Sequence, residues 1–133
     1  MEYIVYIFTL NISYMTTKNT QHYHLIFHDN YVIAEANNGV HINNDSVAST
    51  LKIIFDHYNG KDFALISHRK NQYTVDIDVY SLRLMKKLRA LAIVSSDSSV
   101  KEKAIIEQLA FDKSFAFFEN LEEAKGWAES VAI

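Results

Sequence analysis

The residues best equipped for chemistry lie close together, in the stretch SHRKNQYT from Ser67 to Thr74. It holds two hydroxyls (Ser67 and Thr74), an imidazole (His68), a guanidinium (Arg69) and a phenol (Tyr73). A hydroxyl beside a base suggests acyl transfer, but a serine hydrolase needs its nucleophile on a strained elbow, with a separate base and an orienting acid converging on it. Ser67 and His68 are neighbours in sequence, and adjacent side chains diverge. No catalytic residue is therefore assigned, and the chain is expected not to be an enzyme. Recognition suits the stretch better. Arg69 offers directional hydrogen bonds and Tyr73 offers contact area at little entropic cost, so Ser67, His68, Arg69, Tyr73 and Thr74 are the expected partner- or ligand-binding residues.

Other chemistries find less support. His22, His24 and His28 share the parity of one strand face, and His22 with His24 has a chelating separation. No carboxylate or further histidine is placed to complete a site, so no metal and no cofactor are expected. Three glycines, widely separated, cannot build the amide-lined loop that cradles phosphate in P-loop or dinucleotide-binding folds. A phosphoacceptor receiver would carry an aspartate where Ile66-Ser67-His68 stands. Asp76 with Asp78, and Glu122 with Glu123, read as acids in first turns of helices, where the helix dipole favours them. Arg83, Lys86, Lys87 and Arg89 read as a solvated face. Together with Arg69 and Lys70 they can also form a basic rim at one end of a sheet.

Composition narrows the classes further. The 133 residues are 49% hydrophobic, enough for one domain with a real core, and the formal charge of -3 disfavours nucleic acid and anionic membranes as partners. Cysteine is absent, which removes disulfides and thiolate chemistry and points to a reducing cytoplasm. The apolar run Tyr3 to Leu10 is too short for a transmembrane helix, which takes about 20 residues. It follows Glu2 where a secretory signal would be basic. Its aromatic and β-branched residues suit a strand. The polar stretch TTKNTQ after Met15 reads as a domain edge, so residues 1–20 are expected to be an N-terminal extension and 21–133 the compact domain.

The elements that must position these residues follow from periodicity. Tyr23, Leu25 and Phe27 alternate with polar residues as a half-buried strand, and Tyr31 to Ala36 gives its hairpin partner across Asp29-Asn30. Asn44 or Asp45 is the expected cap of a helix carrying Val47, Leu51, Ile54, Phe55 and Tyr58, which Gly60 closes. Phe63 to Ile66 and Leu91 to Val94 are short apolar runs of the kind buried on both faces. Between them a helix is expected from about Val75 to Leu88, started by Thr74. Ser98 or Ser99 should cap a further helix, with Ala104, Ile105, Gln108 and Leu109 along one side. After a strand at Phe115 to Phe118, Asn120 and Glu123 form a capping box for a last helix with Leu121, Ala124, Ala128 and Val131 inward beside Trp127. The order β-β-α-β-α-β-α-β-α implies an α/β fold: a mostly parallel sheet, an antiparallel edge hairpin, and helices packed unequally on the two faces.

That order, together with the segments NNGVHINNDSV, FALISHRKNQYTVD, LAIVSS and FENLEEAKGWAES, resembles the STAS superfamily, in particular its small stand-alone SpoIIAA-like members, anti-sigma-factor-antagonist-like domains. The resemblance covers about residues 21–133. It implies a non-enzymatic regulatory or protein-interaction domain whose partner is another protein, such as a regulatory kinase or a sigma-factor-pathway protein. Phosphoswitch members carry an Asp-Ser-(Ser/Thr)-Gly sequence at the end of the central strand. Here the matching region reads SHRKNQYTVD, without the Asp-Ser pair or the glycine. Thr74 would then be the candidate phosphosite, with Ser67 as a further hydroxyl, beside a positive helix end and Arg69. The alternative is a small-molecule binding domain that holds an apolar or anionic ligand between a helix and the sheet. A pocket lined by tyrosines beside Arg69 would favour it, whereas a filled core and a flat face would favour protein docking. Self-association into a homodimer is left open.

Overall fold

The computed structural model describes residues 2–8, 11–76, 78, 80 and 82–131, with side chains from Met15 onward. Its elements follow in the order β1 (Glu2–Phe8), β2 (Asn11–Asn19), β3 (Tyr23–Phe27), β4 (Tyr31–Ala36), β5 (His41–Ile42), α1 (Asn44–Tyr58), β6 (Ala64–His68), β7 (Thr74–Val75), α2 (Arg83–Lys86), β8 (Ala90–Val94), α3 (Ser98–Ala110), β9 (Ser114–Phe118) and α4 (Leu121–Val131). One sheet has the strand order β1-β2-β3-β4-β6-β8-β9, and β5 with β7 forms a separate two-stranded ribbon. The first four strands pair antiparallel and the last four parallel. The fold is α/β, and from β3 onward the expected order holds, with β5 and β7 added.

Alternation along the strands sorts the side chains into two layers. Leu25, Phe27, Val32, Ala34, Leu65, Leu91 and Ile93 meet Val47, Leu51, Ile54 and Tyr58 of α1, Met85 of α2 and Ala104 of α3. On the opposite face Ile33, Ile66, Ala92 and Val94 meet α4, whose buried Ala124 and Ala128 let the helix lie close to the sheet. Coverage is unequal, three helices against one. Because both faces are covered, β6 and β8 carry near-continuous apolar runs. Among the described residues no helix is long and apolar enough to cross a membrane.

Caps set the helix starts, two of them earlier than the sequence suggests. Asn43, ahead of the expected Asn44 or Asp45, accepts from Ser46 N–H at 2.9 Å, with the Ser46 hydroxyl returning to the cap. Asp97 takes the place of Ser98 or Ser99 and accepts from Ser99 N–H at 2.9 Å. The Asn120–Glu123 cap of α4 forms as expected, at 2.9 Å. Asn59 and Gly60, at φ 49° and 88°, close α1 in the left-handed region that the glycine tolerates without strain.

Three expectations change. The segment after Thr74 is not a helix running to Leu88: it opens as β7, in register with β5 through His41↔Thr74 and Ile42↔Val75, and α2 is a single turn whose cap position, Leu82, makes no side-chain bond. The residues VDIDVY alternate at period two, the strand pattern, and their β-branched members disfavour helix. Ile77, Val79 and Ser81 of that expected helix lie outside the described residues. The inward stripe of α3 is also rotated: Ala104 and Glu107 are buried, while Ile105 and Leu109 are 56% and 86% exposed. Finally, the sheet runs across the boundary expected near Gln21, since Thr16, Thr17, Lys18 and Asn19 of β2 face Phe27, Ile26, Leu25 and His24 of β3. Polar side chains do not prevent a ladder made by the backbone. Thr9 and Leu10 of the apolar N-terminal run lie outside the described residues.

Candidate functional site

The site begins at the carboxyl end of β6. Alternation turns Leu65 and Ser67 toward α1 and α3, and Ile66 and His68 toward the α4 face. Arg69 follows the strand, and its backbone N–H donates to the Val94 carbonyl at 2.8 Å, which holds the chain alongside β8. Its side chain enters the α1/α3 layer. There it forms a two-pronged pair with Glu107 of α3: Nη1 donates to Oε2, and Nη2 donates to Oε1 at 2.5 Å. Tyr80 Oη–H donates to the same Oε1 at 2.5 Å, and Arg69 Nε–H donates to Ser67 Oγ at 3.3 Å. Tyr73 stands beside Ser67 and Arg69 at the same wall.

Burial sets the character of this cluster. The Arg69 side chain is 12% exposed and that of Glu107 5%. Desolvation pulls the guanidinium down, but the Glu107 carboxylate outweighs it and holds Arg69 charged, above its ordinary value. Burial, first, and the charge of Glu107, second, push the Tyr80 phenol far up, so it stays a donor. Tyr23 and Tyr73 are raised as well, chiefly by desolvation. Both Glu107 oxygens are engaged. As placed, the cluster can orient and hydrogen-bond a guest, and its carboxylate is not free to act as a base.

Space adjoins it on two sides. Below lies a chamber of about 70 Å³, lined by Leu51, Ile54, Leu65, Met85 and Leu91 with the polar cluster as its roof. That is roughly half of the ~150 Å³ apolar cavity that accommodates benzene. Outward lies an open crevice of about 680 Å³ between Arg69–Val75 and the first turns of α3, bounded by Asp97, Ser99 and Lys103. Arg69, Tyr73, Val75 and Glu107 line both spaces and separate one from the other. The crevice lies beyond the carboxyl ends of β6 and β8, where open α/β sheets place their ligands.

Of the five expected residues, Ser67, Arg69 and Tyr73 come together here. His68 points to the α4 face, where its Nδ1 lies 2.9 Å from Glu35 Oε2 and Lys70 Nζ lies 3.3 Å from Oε1. Thr74 belongs to the ribbon: its hydroxyl lies 2.6 Å from His41 Nδ1, and His41 Nε2 lies 3.1 Å from Asp76. Asp76 only accepts, so the Nε2–H donates to it and Nδ1 accepts from Thr74. Nucleophile, base and acid stand in that order. Yet His41 and Asp76 are 53% and 46% exposed, and the amides of Thr74 and Asp76 are committed to the Val40 and Ile42 carbonyls. Neither of these amides is therefore free to hold an oxyanion. Thr74 is also no helix start, and its hydroxyl meets the His41 imidazole in place of the expected helix end and Arg69.

The remaining expectations separate in space. His24 contacts Asn19 and His28 stacks on Tyr31 at 4.4 Å, and among the described residues no three His, Cys, Asp or Glu gather as a metal site. Arg89 pairs with Asp62 at the start of β8, the opposite strand end from Arg69 and Lys70, so the basic rim does not form.

Glu107, Tyr80 and Tyr23 were not expected at the site. Glu107 had a readable signal: with Val100, Ala104 and Phe111 it keeps i, i+4, i+7, i+11 spacing, so it is a carboxylate on an apolar helix stripe that must find a buried partner. Tyr80 had none, because the alternation of VDIDVY gives it the parity of Asp76 and Asp78, the polar side of the pattern. Comparison with protein-family models, curated proteins and solved structures gives no match, so the STAS-like resemblance rests on the sequence segments that carry it.

Proposed function

We propose that this chain is a non-enzymatic binding domain for a small amphipathic molecule, seated where the crevice opens onto the apolar chamber. The observation that carries this reading is the shared wall of Arg69, Tyr73, Val75 and Glu107 between a wide crevice rimmed by polar residues and a small, mostly apolar chamber. An apolar body reaches inward past Tyr73 and Val75, and a hydrogen-bonding or anionic head stays outside near Lys103 and the first turn of α3. Tyrosine hydroxyls and the Arg69 N–H groups not used in the Glu107 pair supply the few fixed polar contacts that orient a ligand in a mostly apolar site. The absence of cysteine fits a reducing, cytoplasmic setting.

Isothermal titration with butanoate and with butanol tests this. Ala34 lines the chamber, and Ala34→Leu fills it with an isopropyl group without touching the polar cluster. Saturable binding by the wild type, weakened about tenfold or more in a variant that keeps a cooperative thermal transition, is expected. No saturable binding of either amphiphile, or equal binding by Ala34→Leu, overturns the proposal.

A second reading is docking of another protein, such as a regulatory kinase or sigma-factor-pathway protein, as the STAS resemblance implies. Exposed Lys70, Gln72 and Thr74 at the crevice rim favour it. On that reading the occupied crevice would change the surface a partner meets.

A further inference from the structure

We propose that two copies of this chain associate through β9, edge to edge and antiparallel about a two-fold axis at Ala116, continuing the sheet from one copy into the other. β9 is the last strand of the sheet, and its sequence, SFAFF, has none of the charges, prolines or bulges that normally guard an exposed edge. Its backbone parity is known. The Phe118 carbonyl accepts from Ser95 N–H at 3.1 Å, so Ser114, Ala116 and Phe118 turn their backbone groups toward β8. Phe115 and Phe117 turn theirs outward, without a backbone partner among the described residues. An antiparallel two-fold pairing therefore has to place outward residues opposite outward residues. With Ala116 on the axis, Phe115 faces Phe117 of the second copy and each exchanges both backbone hydrogen bonds, twice over by symmetry.

Charge selects this register over its neighbours. One step beyond the aromatic pairs, Lys113 of one copy faces Glu119 of the other, again twice, and both residues are exposed. Registers with the axis at Phe115 or Phe117 also satisfy the backbone, but they leave Lys113 opposite Phe117 or Glu119 opposite Phe115. Opposite charges directly across an antiparallel pair are favourable, as are aromatic pairs. The helix above the edge adds apolar surface. Lys101, Ile105 and Leu109 recur at i, i+4, i+8 on one strip of α3, and Lys101 Nζ lies 6.0 Å from the Phe117 ring centroid, which puts that strip on the β9 side. Ile105 and Leu109, two of the exposed large apolar residues, thereby stand beside the edge and meet their equivalents across the axis.

Sedimentation velocity over a concentration series, with amide hydrogen exchange on the same samples, decides the matter. The expected result is a monomer–dimer equilibrium in which the Phe115 and Phe117 amides gain protection as concentration rises, while the Ser114 and Ala116 amides are protected throughout. Lys113→Glu and Glu119→Lys should each weaken the dimer about tenfold, and the double swap should restore it. Leu109→Asp, at an exposed position that leaves the monomer core alone, should weaken it too. A monomer at all concentrations with freely exchanging Phe115 and Phe117 amides overturns the proposal. So does a dimer indifferent to both single charge changes.

Discussion

Arg69 and Thr74 are five residues apart, yet the polar groups they organise differ in nearly every physical respect. Arg69, with Glu107 and Tyr80, sits between sheet and helices, its partners fixed by three separate elements. Thr74, with His41 and Asp76, lies on the outside of a two-residue ribbon, with about half of each ionisable side chain in water. Geometry gives the second group the more catalytic look, since it lines up hydroxyl, imidazole and carboxylate. Burial gives the first the greater consequence. A charge removed from water depends wholly on its partner, whereas a charge left in water keeps its solvation when the partner goes.

The largest break in this contrast comes from Glu107→Ala. It leaves the Arg69 guanidinium buried and uncompensated, and loss of one partner of a buried pair costs about 3–5 kcal/mol. Urea unfolding should show the free energy of unfolding falling by that measure. Arg69→Met with Glu107→Leu removes both charges at similar volume and should lose less, because no orphan charge remains and only the Tyr80 hydroxyl is left without its acceptor. If the single and double variants are equally destabilised, the pair is acting by packing alone.

How much of this was legible follows the same division. Strands β3 and β4, the β6 and β8 runs and the inward stripe of α4 could all be read because each repeats a single period against a covered face. Ser67 and Arg69 were legible as polar residues at a strand end, the usual place for a site in a parallel sheet. Their direction was not, because a residue past the end of a strand is aimed by long-range contacts, here the Val94 carbonyl and Glu107, 38 positions away. Thr74 misled because one hydroxyl before an acid looks like a cap, while the ribbon it joins needs His41–Ile42, far back in the chain. β5 and β7 are too short for any period to show.

His28 stands between the two extremes, half-buried and stacked on Tyr31 at 4.4 Å. Desolvation, chiefly, and Lys125, second, hold its imidazole below the ordinary value of 6.5. The unfolded chain therefore binds a proton more readily than the folded one in the window just below pH 6.5. Its contribution to stability is complete above that pH and is lost as pH falls through the window, levelling once the folded-state value is passed. His57, stacked on Phe27 at 4.0 Å and likewise lowered by desolvation, acts in the same direction. Thermal melts between pH 7.5 and 5 should show stability falling, and His28→Phe should flatten the fall. An unchanged slope in that variant would assign the pH dependence elsewhere.

The smallest effect is expected at the ribbon, and it tests the contrast from the other side. Exposed ion pairs contribute about 0–1 kcal/mol, and β5 and β7 are also joined by backbone bonds from Thr74 N–H and Asp76 N–H that no side-chain change removes. His41→Ala, Thr74→Val and the two combined should each change the free energy of unfolding by less than about 1 kcal/mol. The double-mutant cycle should give a coupling at the low end of that range, reduced further at high salt, because water and ions screen what the geometry offers. A coupling of several kcal/mol that salt does not reduce would mean that His41 and Thr74 are shielded from solvent. The ribbon would then belong, with Arg69 and Glu107, among the buried polar groups.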